Sequence, residues 1–136
     1  MSKRQNYIFR AKYELSDQWI LGGGVWKFER EVVMLCEDRQ GGPILKPIRG
    51  ETVGQYVGIV DCQARRIFEG DVLVWVRTEQ PDVKHVVEKY SDGCFGMGGL
   101  SFREIFDSGF YQPGVGKSGF RIIGNIIDNP KLKEKL

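Results

Sequence analysis

A chain of 136 residues, 41% of them apolar, is long enough for one compact domain with its own core and too short for two of ordinary size. Charged residues make up 28% with the signs interspersed and a formal net charge of +2, so the dense positive field of a protein that clings to phosphate backbones is not announced. Cys36, Cys62 and Cys94 show no paired spacing, "MSKRQNYIFR" lacks the apolar stretch of a secretory leader, and no segment has membrane-spanning length, so a soluble cytoplasmic protein is expected.

The elements, in chain order, read as short strands. Runs rich in Val, Ile, Phe, Tyr and Trp fall at 6–13, at 18–21 and 24–28 around a triple glycine, at 31–36, 55–60, 71–78, 83–90 and 120–127. The segment 37–50, "EDRQGGPILKPIRG", holds two prolines and three glycines and reads as a connection. "DVLVWV" is apolar on both alternating faces, as a covered central strand requires, whereas "VKHVVEKY" mixes in charge and reads as half exposed. Between them and "CFGM", Asp92-Gly93 tolerates the positive φ of a tight hairpin. Ser101 with Glu104 three residues later forms a capping-box pattern, the one helix signal. After Asn129-Pro130, "KLKEKL" reads as a solvated tail, at most a frayed turn. The expected fold is therefore mainly β with at most one short helix: an N-terminal β subregion (1–50), a C-terminal small SH3-like barrel (51–129) and a tail (130–136) within one domain.

Each stretch that suggests chemistry has a plainer explanation. "GVGKSG" at 114–119 ends like a phosphate-binding loop, but Tyr111 stands where the first glycine is needed and "FRIIGN" follows in place of a helix. Gly96, Gly98 and Gly99 miss the dinucleotide pattern and read as loop. His85, the only histidine, sits mid-strand with no acid or nucleophile adjacent in sequence, and it cannot form a zinc site of ordinary spacing with three scattered cysteines. Asp61, Glu69, Asp71 and Asp92 are candidates for an acid/base pair, yet in "RRIFEGDVLVWV" Gly70 supplies a permissive backbone and flanking carboxylates accept hydrogen bonds from turn amides. Trp19, Trp26, Trp75, Phe95, Tyr111 and Phe120 suit either a small β core or a stacking surface for single-stranded nucleic acid, and core packing is favoured. No catalytic residue, cofactor or metal ligand is assigned.

Three islands together resemble the YopX-like family of small phage and prophage proteins. "YIFRA" at 7–11 is similar to the family's "FRAWD", "QYVGIVDCQARRIFEGDVLVW" at 55–75 to "QYTGLKDKNGKEIYEGDIV", and "FRIIGNIIDNPKL" at 120–132 to "EVIGNIYENPEL". Gly58, Asp61, Ile67, Glu69, Gly70 and Asp71 match in register, as do Ile123, Gly124, Asn125, Ile126, Asn129 and Pro130. Tyr13 replaces a Trp, Val57 replaces a Thr, and "CQAR" replaces an Asn-Gly turn, which leaves the tightness of that hairpin open. The loop 107–119 reads as an insertion. The resemblance implies a mostly β protein of a phage or prophage, cytoplasmic in a bacterial host, self-associating, and without an established activity. The expected function is a non-enzymatic accessory protein that binds another protein or a copy of itself. The alternative is a nucleic-acid-binding small barrel, and a carboxylate-dependent hydrolase is least favoured.

Overall fold

The computed structural model describes residues 8–75, 84–107 and 119–134, and the chain divides into two compact units, Met1–Tyr56 and Val57–Leu136. Strands at 9–12, 19–22, 24–28, 31–37, 54–60, 71–75 and 120–125 lie where alternating apolar residues placed them. The expected continuations into 6–7, 76–78 and 83, together with "GVGKS" and Tyr111, lie outside the described residues.

In the first unit, β1 (Phe9–Lys12) pairs antiparallel with β2 (Trp19–Gly22), Ala11 opposite Ile20. A separate sheet holds β3 (Gly24–Phe28), β4 (Glu31–Glu37) and β5 (Pro43–Pro47), with β4 in the middle. Glycines join the two sheets because Gly22 lies so close to the Met34 side chain and the Leu35 carbonyl that a Cβ there would collide. A 3-10 turn (Gly50–Thr52) precedes β6 (Gly54–Val60), and β6 pairs with β1 through Arg10 and Gly54. Alternation sends Ala11, Met34 and Cys36 inward with Ile48, and Phe9, Ile20, Val25, Val32 and Val53 pack around them.

β5 corrects the expectation of a bare connection over 37–50. The "DRQGG" stretch is a hairpin loop: Asp38 Oδ1 accepts from the amides of Gln40 (2.9 Å) and Gly42 (2.8 Å), and Gly41 takes a φ of +83°. Pro43 and Pro47 then bound a strand at the sheet's rim, the one position where a missing N–H costs no ladder bond.

In the second unit, β7 (Arg66–Phe68) leads through a turn into β8 (Asp71–Trp75), whose Val72, Leu73 and Val74 are all buried, as expected of a strand covered on both faces. β8 lies between β13 (Phe120–Asn125) and β9 (His85–Val86). The stretch read as one strand over 83–90 is broken at Val87, which turns to bond Gly70 and Asp71 and leaves β10 (Glu88–Lys89) to a second sheet with β11 (Phe95–Met97) and β12 (Leu100–Ser101). The Asp92-Gly93 hairpin is present, with Gly93 at φ +89° and the Cys94 amide donating to Asp92 Oδ1 at 2.9 Å. α1 (Phe102–Asp107) starts with the expected reciprocal bonds: the Ser101 amide donates to Glu104 Oε1 at 3.2 Å and the Glu104 amide to Ser101 Oγ at 3.1 Å. Ile67, Leu73, Val87, Met97, Phe102, Ile105 and Phe120 form the core.

Two expectations are corrected. A second short helix, α2 (Pro130–Glu134), occupies the stretch read as a tail, because proline fits the first helical position and Asn129 makes the turn that launches it. The SH3-like barrel gives way to small open antiparallel sheets, with no closed barrel among the described residues. Closure fails for a local reason: the outer edge of β13 is taken up by a turn and a side-chain pair in place of another strand, as described next.

Candidate functional site

The matched glycines, acids and asparagines other than Gly58 gather along β13 in the second unit. Asp61 is completely buried at the head of a tight turn, and its carboxylate collects bonds from both ends of that turn. Oδ1 accepts from the amides of Gln63 and Arg65, each at 2.9 Å, while Oδ2 accepts from Arg65 Nε at 3.1 Å and from the Ile122 amide at 3.1 Å, with Arg65 Nη2 at 2.9 Å. Arg65 Nη2 also donates to the Ile122 carbonyl at 2.8 Å, and the Cys62 amide to the Phe120 carbonyl at 2.7 Å. Residues 61–65 thus satisfy the outer edge of β13 as a neighbouring strand would. Burial pushes the Asp61 carboxyl up, but the bonds from Arg65, Ile122 and Gln63 outweigh it and hold the group below its ordinary value.

The turn is tight although it lacks Asn-Gly: Ala64 itself adopts φ +65°, with its amide donating to the Asp61 carbonyl at 3.0 Å. An alanine in that conformation is strained. Ala64→Gly is expected to raise stability by up to about 1 kcal/mol, read as a higher urea midpoint at unchanged slope.

Glu69-Gly70-Asp71 is a turn. Asp71 is buried and its Oδ2 accepts from the Phe68 amide at 2.8 Å, Gly70 takes φ +93°, and Glu69 stands half-buried beside them. The third island meets it: Asn125 pairs with Asp71, and the Ile126 amide donates to the Gly70 carbonyl at 2.9 Å. Asn125 Oδ1 then accepts from the amides of Ile127 (3.0 Å) and Asp128 (2.8 Å), and Asn129 Oδ1 from the Asn125 amide at 3.3 Å. Gly124 must be glycine because a Cβ there would lie 2.6 Å from Asn129 Oδ1 and 2.8 Å from Leu132 Cδ1. Gly58 stands apart on β6, exposed at φ +96°.

Asp61, Asp71 and Asp92 therefore each have carboxylate oxygens engaged by turn amides, which is scaffold chemistry. Among the described residues no three of His, Cys, Asp and Glu come together as metal ligands. His85 is half-buried against Gly98, and burial lowers its tendency to protonate. Burial pushes the Cys36 thiol up, opposed by the charge of Lys46.

The aromatics split three ways. Phe120 and Trp75 belong to the core, their rings 4.6 Å apart. Trp19 carries two cations, Arg10 at 4.5 Å and Lys12 at 4.7 Å from its ring centroid. Trp26 faces solvent. In the β3–β4–β5 sheet, Val25, Met34 and Cys36 turn to the core, so the register puts Trp26, Phe28, Val33, Leu35 and Leu45 on the opposite face. There Trp26, Phe28 and Leu45 are 48%, 54% and 52% exposed. Val33 on the same face is buried, and large apolar side chains left exposed around it on one sheet face suit a contact surface. Sequence reading placed Trp26 among core aromatics and passed over Phe28 and Leu45; the alternation in "GVWKF" was the available signal.

The family model described as YopX protein matches residues 8–134. The crystal structure of protein EF1440 from Enterococcus faecalis is similar at 22% identity and a TM-score of 0.52, over 92% of this chain and 96% of that one. Comparison with curated proteins gives no match.

Proposed function

The chain belongs to the YopX family, and from that premise we propose that it is a non-enzymatic accessory protein of a phage or prophage, acting in the host cytoplasm by binding another protein or a copy of itself. The exposed apolar face of the β3–β4–β5 sheet carries this reading, since Trp26, Phe28 and Leu45 gain free energy only when something covers them. Among the described residues no helix is long and apolar enough to cross a membrane.

Nucleic-acid binding is the second reading, favoured by the Arg10, Lys12 and Trp19 group. It requires an affinity that falls steeply with salt. The purified protein is expected to elute free of nucleic acid by its 260/280 nm absorbance ratio and to give a flat titration with single-stranded DNA at low salt. Salt-sensitive saturation would transfer the assignment to the Trp19 face. Turnover of any substrate that Asp71→Asn or Glu69→Gln abolishes in a folded protein would overturn the non-enzymatic reading.

A further inference from the structure

We propose that β3 pairs antiparallel with β3 of a second copy across a two-fold axis at Trp26, joining two three-stranded sheets into one of six strands; this rests on the interaction reading and names its partner. The sheet has two rims, and they are defended differently. β5 is bounded by Pro43 and Pro47, which cannot donate to an incoming strand. β3 holds no proline, and among the described residues β4 is its only partner in the sheet. It carries a single charge, Lys27. A strand edge with a full set of backbone donors and two exposed aromatics is a template for another strand.

The side chains select the copy and the register. Antiparallel partners share a face, so a two-fold axis that keeps apolar face beside apolar face passes through a residue of β3. An axis at Lys27 would set two ammonium groups directly opposite each other, which is repulsive, and would pair only 26–28. An axis at Val25 would pair only 24–26. At Trp26 all five residues of Gly24–Phe28 pair, and Lys27 lies opposite Val25 of the second copy. The two Trp26 rings then meet across the axis, and each Phe28 lies opposite Gly24 of the other copy. The missing side chain of Gly24 is already roofed by Trp26, whose ring would be only 3.0 Å from a Cβ there, so each Phe28 packs on an indole. Aromatic cross-strand pairs are among the more favourable that a sheet can make. A five-residue strand pair with four aromatic rings buries less than the roughly 800 Å² per partner of a standard interface, so the dimer is a reversible one.

Light scattering across a dilution series is expected to show a mass rising from monomer to dimer at high micromolar concentration. The double variant Trp26→Ser/Phe28→Ser, altered only at exposed positions, is expected to weaken association by roughly tenfold or more. In a Cys62→Ser/Cys94→Ser background, at a concentration raised to offset the loss of the Trp26 ring, Trp26→Cys is expected to cross-link to itself under a mild oxidant, whereas Lys27→Cys at the same concentration is not. A monomer at all concentrations, an oligomer indifferent to the double variant, or cross-linking at 27 in place of 26 each overturns the pairing. A monomer that holds a different protein through Trp26 and Phe28 overturns it too, yet leaves the interaction reading standing; one that holds nothing removes both.

Discussion

Replacing Asp61 by alanine is expected to destabilise the protein by roughly 2–4 kcal/mol, the cost of taking a buried charged acceptor away from the amides it serves. The substitution leaves the amides of Gln63, Arg65 and Ile122 without their acceptor, while the half-exposed Arg65 guanidinium keeps water and the Ile122 carbonyl as partners. It also reopens the edge of β13, so aggregation during refolding is expected to accompany the loss. Urea unfolding monitored by Trp fluorescence measures the first effect, and light scattering during dilution from denaturant measures the second. A loss under about 1 kcal/mol would mean that water can replace the carboxylate, and that the turn is held by its backbone bonds alone.

The same residue makes stability depend on acid. Asp61 titrates below its ordinary value of 3.8 in the folded state and near it when unfolded, so the unfolded chain takes up its proton first as pH falls. Its contribution is complete above the unfolded value and is lost as pH drops through the folded one. Asp61→Asn removes this titration while keeping the shape. Its stability is expected to be lower at neutral pH and to lose the Asp61-dependent acid slope in that window.

How much of this was legible follows from how far each interaction reaches along the chain. The Asp92-Gly93 hairpin and the Ser101–Glu104 cap can be read because both partners lie within a few residues. β5 could not, since its two prolines argue against a strand until a rim position is known to excuse them. The part played by Asp61 was equally hidden: its bond to the Ile122 amide spans 61 residues, and no local pattern marks it. The resemblance in "EGD" and "GNIIDNP" identified the residues that matter there but not why. Their reason is mutual, since Gly70 and Asp71 receive the turn that Asn125 builds. Face selection was the remaining gap. Alternation shows that Trp26 and Phe28 share a face, but only the packing of Val25, Met34 and Cys36 on the other side shows that theirs is the face turned away from the core, open at Trp26, Phe28 and Leu45 although Val33 between the outer strands is buried.

Phe120→Ala against Trp26→Ala tests that division of the aromatics directly, because sequence reading treated the two rings alike. Phe120 is completely buried, with Trp75 at 4.6 Å, Phe102 at 5.9 Å and Phe106 at 6.3 Å between ring centroids. It also holds the register of β13, pairing with Trp75 while its carbonyl accepts from Cys62. Its truncation removes buried ring surface and leaves a cavity that β13 cannot close without breaking those bonds, so about 3–5 kcal/mol of stability is expected to be lost. Trp26→Ala removes a larger side chain that is half in water, and its expected cost in a dilute monomer is under about 1 kcal/mol. The same substitution should weaken association, which Phe120 does not touch. Urea midpoints for the two variants separate the cases. If Trp26→Ala costs as much as Phe120→Ala under conditions where no dimer forms, Trp26 belongs to the fold, and the bare sheet face would no longer be a surface kept for a partner.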